Sequence, residues 1–277
     1  MITLTVFVEG ESDKEWVSSL LPRAFPRPDL DIRIYACEGK YKALRQLNDA
    51  EKSEYPVHLA EKTINVALVD ADAPNLPDAR RELTDRHRLG HLSDRIFFTV
   101  PTIEAWLFAD IDAAKNIAKK AIPALDRIQF PDEIPNPYFL AREVFGIGPR
   151  ARMAGRQIIK SMNLERAQSR SPSLREFLAG IAKLLGEDRY QAIPDAEKLI
   201  GRRLLGQLIN ETNPSSRILY KTLAGDRFTA ERLADEISQG TPIARQYAAD
   251  LLRVARELLA REAALDNKNA ADGEGNI

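Results

Sequence analysis

The sequence predicts an α/β protein: an N-terminal parallel sheet with flanking helices, followed by a mainly helical C-terminal region. Three observations predict it. Four short runs of apolar, β-branched or aromatic residues (Ile2–Val8, Ile32–Cys37, Ile64–Val69 and Ile96–Val100) alternate with helical patterns. Each run is nearly continuously apolar, as parallel strands covered on both faces are. From about Ala141 onward no run reads as a strand, and helical patterns punctuated at Ser171-Pro172, Gly186, Asn213-Pro214 and Gly240 take over.

The first strand leads into a helix over Asp13–Leu21, where Trp16, Val17, Leu20 and Leu21 recur at helical spacing. Tyr41, Leu44 and Leu47 repeat that spacing after the second strand. Leu76–Leu92 is charged with a thin apolar stripe and reads as an exposed crossover helix between the third and fourth strands. Ile103–Leu107 and the Ala-rich stretch to Leu125 read as helical, and Phe130–Phe139, with three prolines in ten residues, as a connector. The last helix has Thr241 as N-cap, Pro242 in its first turn, and a stripe of Ile243, Tyr247, Leu251, Val254 and Leu258. Phe228–Gly240 reads as its helical partner. Residues 267–277 are polar and Asn/Ala/Gly-rich, the composition of a disordered tail. The expected division is therefore 1–128, 129–266 and the tail.

The 277 residues include one Cys and carry a net charge of −1. A single Cys excludes a disulfide framework and a Cys-rich zinc site, and it suits a reducing cytoplasm. No apolar run approaches the roughly 20 residues that span a bilayer, and the opening MITLTVFVEG is not a signal peptide. The near-zero charge conceals an uneven distribution: −5 over residues 1–141, +6 over 142–175 and −2 over 176–277.

Functional groups of an open parallel sheet gather beyond the C-terminal ends of its strands. Glu9, Gly10 and Asp13 follow the first strand here, Asp70 and Asp72 the third, and Glu104 the fourth. Three strand ends thus deliver carboxylates to one edge. Taken singly, each is ordinary turn chemistry; taken together, they repel one another and need a cation to stay ionised. All-oxygen ligands suit hard ions such as Mg²⁺ or Mn²⁺, which can activate water for phosphodiester cleavage. No His stands where a general base is needed. His87 and His91 lack the glutamate of a zinc-helix motif and read as a solvated or capping pair. Cys37 reads as buried packing.

The front of the chain, roughly residues 1–112, resembles the TOPRIM domain of topoisomerases, DnaG-type primases and OLD-family (overcoming lysogenization defect) nucleases. VFVEGESD supplies Glu9 with Asp13 four residues on, and VALVDADAP supplies Asp70 and Asp72. PTIEAWLFAD, with Glu104 and Trp106 after the fourth strand, is most similar to the OLD type. The resemblance implies a TOPRIM-like catalytic domain over 1–128. It also implies a divalent-metal nuclease site with Glu9, Asp13, Asp70 and Asp72 at the metals and Glu104 as a further ligand or orienting group. Lys40, in the Glu38-Gly39-Lys40 element after the second strand, sits where OLD-type proteins often carry Gly-Lys. It reads either as a phosphate contact or as a solvated lysine.

OLD-type nucleases commonly carry an ATPase on the same chain, but no G-x-x-x-x-G-K-[ST] occurs here. The resemblance then implies a separate ABC-type, OLD-like ATPase, an arrangement found in bacterial anti-phage defence. Within the +6 segment, Arg152, Arg156 and Lys160 fall at i, i+4 and i+8, one face of a helix beside Arg150. These four read as phosphate contacts for DNA or RNA, with a solvated helix face or pairing with the acidic front half as the alternatives. The expectation is a metal-dependent nuclease, with homo-oligomer formation open. The rivals are a non-catalytic TOPRIM scaffold or nucleic-acid-binding subunit, and another TOPRIM phosphotransfer enzyme.

Overall fold

The computed structural model describes residues 1–52, 62–72, 79–83, 88–118, 125, 128–187, 201–255 and 258. The chain divides into two compact units, Met1–Tyr190 with Thr222–Gly225, and Gln191–Lys221 with Asp226–Ile277. The sequence division at residue 128 does not mark this boundary, because the helices that follow complete the core of the first unit.

That unit is built on a four-stranded sheet of β1 (Ile2–Val8), β2 (Leu30–Ala36), β3 (Lys62–Asp70) and β4 (Ile96–Thr99), ordered β2-β1-β3-β4. All neighbours are parallel, with Val8 level with Ala36 on one side and Leu68 on the other. Successive side chains of a strand point to opposite faces, and this sorts the apolar runs into two cores. Leu4, Val6, Val8, Ile64, Val66, Leu68 and Phe97 face one side. Phe7, Ala67, Val69, Ile96 and Phe98 face the other, against Ala43, Leu44 and Leu47 of α2 (Lys40–Lys52) and Leu83 of a helical turn. The expected crossover helix over Leu76–Leu92 is described only in part, helical over 79–83 and again in a 3₁₀ turn at Gly90–Leu92. His87 and the tail 267–277 lie outside the described residues.

The first face is covered by α1 (Glu11–Ala24), the 3₁₀ segment Ile103–Phe108, and five more helices. These are α3 (Ile111–Ala118), α4 (Pro137–Phe145), α5 (Pro149–Ser161), α6 (Leu164–Arg170) and α7 (Pro172–Leu185). Trp106 lies in this layer, its indole N–H donating to Ser173 Oγ at 2.8 Å and its ring stacked on Phe177. Arginines of the basic segment tie the layer together. Arg166 pairs with Asp110 and Asp112, Arg170 donates to the Ala109 and Ile128 carbonyls, and Arg175 to the Gln168 carbonyl.

The second unit contains α8 (Arg202–Thr212), the antiparallel pair β5 (Ile218–Lys221) and β6 (Arg227–Thr229), α9 (Ala230–Gln239), and α10 over 242–255. The hairpin corrects the reading that no strand follows Ala141. Strands of four and three residues are too short to show a period. Thr241 does cap α10, its hydroxyl accepting from Ala244 N–H at 3.3 Å. The deepest face of α10 is Ala244, Ala248 and Ala249, with Ile243, Tyr247 and Leu251 flanking it and Leu258 exposed. Small side chains allow the closest helix approach, so the helix centres on alanines rather than on the large-residue stripe. Among the described residues no helix is long and apolar enough to cross a membrane.

α1 and α5 meet at Gly155, where a Cβ would fall 2.4 Å from the Trp16 ring. The Trp16 indole N–H also donates to the Arg152 carbonyl at 3.1 Å. Gly155→Ala is therefore expected to destabilise the protein by about 1–3 kcal/mol through overpacking. Urea unfolding followed by tryptophan fluorescence measures this, and an unchanged midpoint would mean that the helices separate at little cost.

Candidate carboxylate site at the sheet edge

From β1 the chain crosses to β2 on one side, and β3 lies on the other. The C-terminal ends of β1 and β3 therefore flank the topological switch point, where a crevice opens in such sheets. Glu9 leaves β1 here and Asp70 closes β3. They are bound to each other, the Glu9 Oε1 accepting the Asp70 N–H at 2.8 Å. The Lys40 backbone N–H also donates to Glu9. Asp70 Oδ1 accepts from the Thr99 hydroxyl at the end of β4 and from Ile103 N–H at 2.9 Å, which fixes its rotamer. Asp13 sits in the first turn of α1 and accepts the Gly10 N–H at 2.9 Å, capping the helix. Glu104 follows β4 and accepts from the Thr102 hydroxyl at 2.7 Å.

Glu9, Asp13, Asp70 and Glu104 are close enough to act on one another electrostatically. Burial drives Asp70 well above the ordinary carboxylate range, and the charges of Asp13, Glu9 and Glu104 add to this against the Thr99 hydrogen bond. Asp13 is pushed up to about 7, chiefly by burial and then by Glu104 and Glu9. Glu9 is raised by burial, with the Asp70 N–H and the Lys40 charge opposing. Asp72 is the exposed neighbour: it adopts φ 52°, its side chain is 64% exposed, it pairs with Lys40 Nζ at 2.7 Å, and its charge adds to the rise at Glu9. The Lys40 side chain is only 10% exposed, so it is not a solvated lysine.

The structure thus brings together Glu9, Asp13, Asp70 and Glu104 of the expected set, with Lys40 and Asp72 as a pair beside them. Among the described residues no three His, Cys, Asp or Glu side chains stand at metal-holding spacing. The donor chemistry nevertheless suits a hard divalent cation, being all oxygen, partly buried and short of compensating positive charge. Thr99 and the Ile103 amide are the orienting groups that sequence reasoning missed; a hydroxyl at a strand end beside a row of carboxylates was the available signal. Cys37 is buried, and burial pushes its thiol up, as expected for packing.

Arg150, Arg152, Arg156 and Lys160 all lie on α5. Ala154, Gly155, Ile158 and Ile159 form its buried face, while Arg150, Arg156 and Lys160 are exposed. Arg152 pairs with Glu15 of α1 at 3.6 Å. Arg156 and Lys160 line a shallow groove with Lys14 and Arg23 of α1.

Fold and site together define an α/β protein with a carboxylate cluster at a sheet switch point and a basic helix packed against the first helix of that sheet. Residues 8–182 match the family described as a domain of unknown function, DUF4276, and the chain belongs to that family. The matched region lies within the first compact unit and includes the carboxylates and α5 alike. No curated protein and no solved structure matches the chain.

Asp13→Asn retains an oxygen acceptor for Gly10 and removes a charge that burial opposes. Between the ordinary range and about 7 the folded chain holds more protons at Asp13 than the unfolded chain does. Without metal, stability from this group is full at low pH and is lost as pH rises through that window. Asp13→Asn is expected to be more stable than the parent by roughly 4 kcal/mol near pH 8 and close to it near pH 4. Urea unfolding in chelator at both pH values checks this. A less stable variant near pH 8 would show that the ionised carboxylate is favourably held.

Proposed function

We propose that this chain is a divalent-metal-dependent nuclease hydrolysing phosphodiester bonds of nucleic acid. In this reading it is the TOPRIM-type effector of a bacterial anti-phage system, working in the cytoplasm with a separate ATPase. The observation that carries the nuclease reading is the convergence of Glu9, Asp13, Asp70 and Glu104 at a sheet switch point, with three of them raised by burial and then by neighbouring carboxylates, Asp72 in the case of Glu9. The TOPRIM and ATPase parts rest on the sequence resemblance and the absent phosphate-binding loop motif.

These four carboxylates would hold Mg²⁺ or Mn²⁺. When bound, such an ion supplies charge that activates water and stabilises developing negative charge on phosphoryl oxygens. Thr99 and the Ile103 amide hold Asp70 in one orientation. Lys40 supplies the site's own cation, matched to a phosphate oxygen. Arg150, Arg152, Arg156 and Lys160 take the flanking phosphates, which position the strand without reading its sequence.

A second reading, a non-catalytic scaffold or binding subunit, draws on a different observation: the described carboxylates are not already at metal-holding spacing. One experiment separates the two. Oligonucleotide cleavage is measured with Mg²⁺ and with Mn²⁺, in wild type and Asp70→Ala/Asp72→Ala, with and without the product of the neighbouring gene. Loss of a metal ligand is expected to lower the rate at least about a hundredfold. Cleavage surviving the double substitution sinks the site, and no cleavage by wild type under any condition favours the scaffold. In binding assays, Arg152→Ala/Arg156→Ala is expected to lower the slope of log K against log salt by about 2. An unchanged slope removes α5 from the interface.

A further inference from the structure

α4 and α5 are joined by the turn Gly146-Ile147-Gly148, with φ of 92° and 58° at the two glycines. Between this turn, the first turn of α1 and the 3₁₀ segment lies a cleft of about 210 Å³. Trp16 and Leu107, both buried, and Phe145, half-buried, supply its apolar lining. Tyr138 and Ile147 line it while remaining 53% and 62% exposed. Its charged residues are Glu104, a member of the carboxylate cluster, and Arg142 and Arg152. Among the described residues neither Arg142 nor the neighbouring exposed Arg150 makes an ion pair.

Exposed large apolar groups at a polar rim mark a binding site. The volume falls below the roughly 300–1,000 Å³ of sites for drug-sized ligands, so the cleft suits a single ring system rather than a whole nucleotide. Aromatic and aliphatic walls beside unpaired arginines match the two halves of a single-stranded nucleotide, a flat base and a charged phosphate. A paired duplex keeps its bases stacked inside and has nothing to place in such walls.

We propose that this cleft takes one unpaired base of the strand, so that the site beside Glu104 acts on single-stranded or locally unpaired nucleic acid. The proposal rests on the nuclease reading and deepens it by naming the substrate class. The base stacks against Tyr138 and the apolar lining, while Arg142, Arg150 and Arg152 take the phosphates on either side. The phosphate next to the held base is then delivered toward Glu104 and the other carboxylates.

The test is fluorescence anisotropy in chelator, so that cleavage plays no part, with labelled single-stranded and duplex oligonucleotides of about 12 nucleotides. Wild type is expected to bind the single strand at least about tenfold tighter than the duplex, and Tyr138→Ala to weaken single-strand binding about tenfold with little effect on the duplex. Ala151→Phe, which fills the cleft from α5, is expected to do the same, with thermal unfolding of both variants as the fold control. Equal or tighter binding of duplex, or Tyr138→Ala binding the single strand as wild type does, overturns the base-in-cleft proposal and leaves the nuclease reading to its own cleavage assay. Binding of neither form likewise overturns the base-in-cleft proposal, and the cleavage assay with metal alone decides the nuclease reading.

Discussion

The hydrogen bond from the Asp70 amide to the Glu9 carboxylate ties two strand ends together at the one place where the sheet opens. Beyond the last paired residues of β1 and β3 the ladder has no further backbone partner to offer, and a buried amide left unpaired there would be costly. A side chain from β1 closes the pair instead. Because that side chain is a carboxylate, the closure also places negative charge in the crevice. Asp70 then turns its own carboxylate toward Thr99 and Ile103, reaching the end of β4. Three strand ends are joined by contacts made to carboxylates, so the sheet edge and the candidate site are one structure.

That arrangement has an electrostatic cost. Glu9, Asp13 and Asp70 are each raised by burial, and each is raised further by neighbouring carboxylates. Lys40 opposes this at Glu9, yet its ammonium is shared with Asp72. A purely structural edge could be closed by Asn or Ser without gathering like charges. In the nuclease reading proposed above, a divalent cation offsets that cost.

The sheet was legible in the sequence because strands buried on both faces must be continuously apolar, and Ile2–Val8 or Ile64–Val69 has few other readings. Glu9, Asp13, Asp70 and Glu104 were legible for the same reason: once the strands are placed, the residues that follow them share an edge. Asp72 shows the limit. Its two-residue spacing from Asp70 places it near the site, but a left-handed backbone and a salt bridge to Lys40 decide where it points, and neither is written in the spacing. The unit boundary was also hidden, since the helices from Pro137 to Leu185 carry apolar faces without naming the surface they cover. Ile158, Ile159, Phe177 and Ile181 complete the core beneath β1 and β3, and only that packing joins them to the first unit.

The surplus of positive charge over residues 142–175 divides by position into two jobs. Arg166, Arg170 and Arg175 turn inward, to carboxylates or carbonyls of neighbouring segments, and their charge is used in holding helices. Arg142, Arg150, Arg156 and Lys160 are exposed, and among the described residues none makes an ion pair. Net charge per segment cannot distinguish the two groups, whereas burial does. The outward group lies on α4 and α5, the helices whose connecting turn lines the cleft beside Glu104. Opposite charges are thus held on adjacent elements of one unit without cancelling in salt bridges. Arg152 is the exception, since its partner Glu15 lies outside the carboxylate cluster. Leaving cations unpaired beside raised carboxylates forgoes the surface attraction that pairing would give, which is worth at most about 1 kcal/mol per exposed pair. A small sacrifice of stability keeps both sets of charges available to a third party, which in the proposed reading is a phosphodiester strand with its divalent ion.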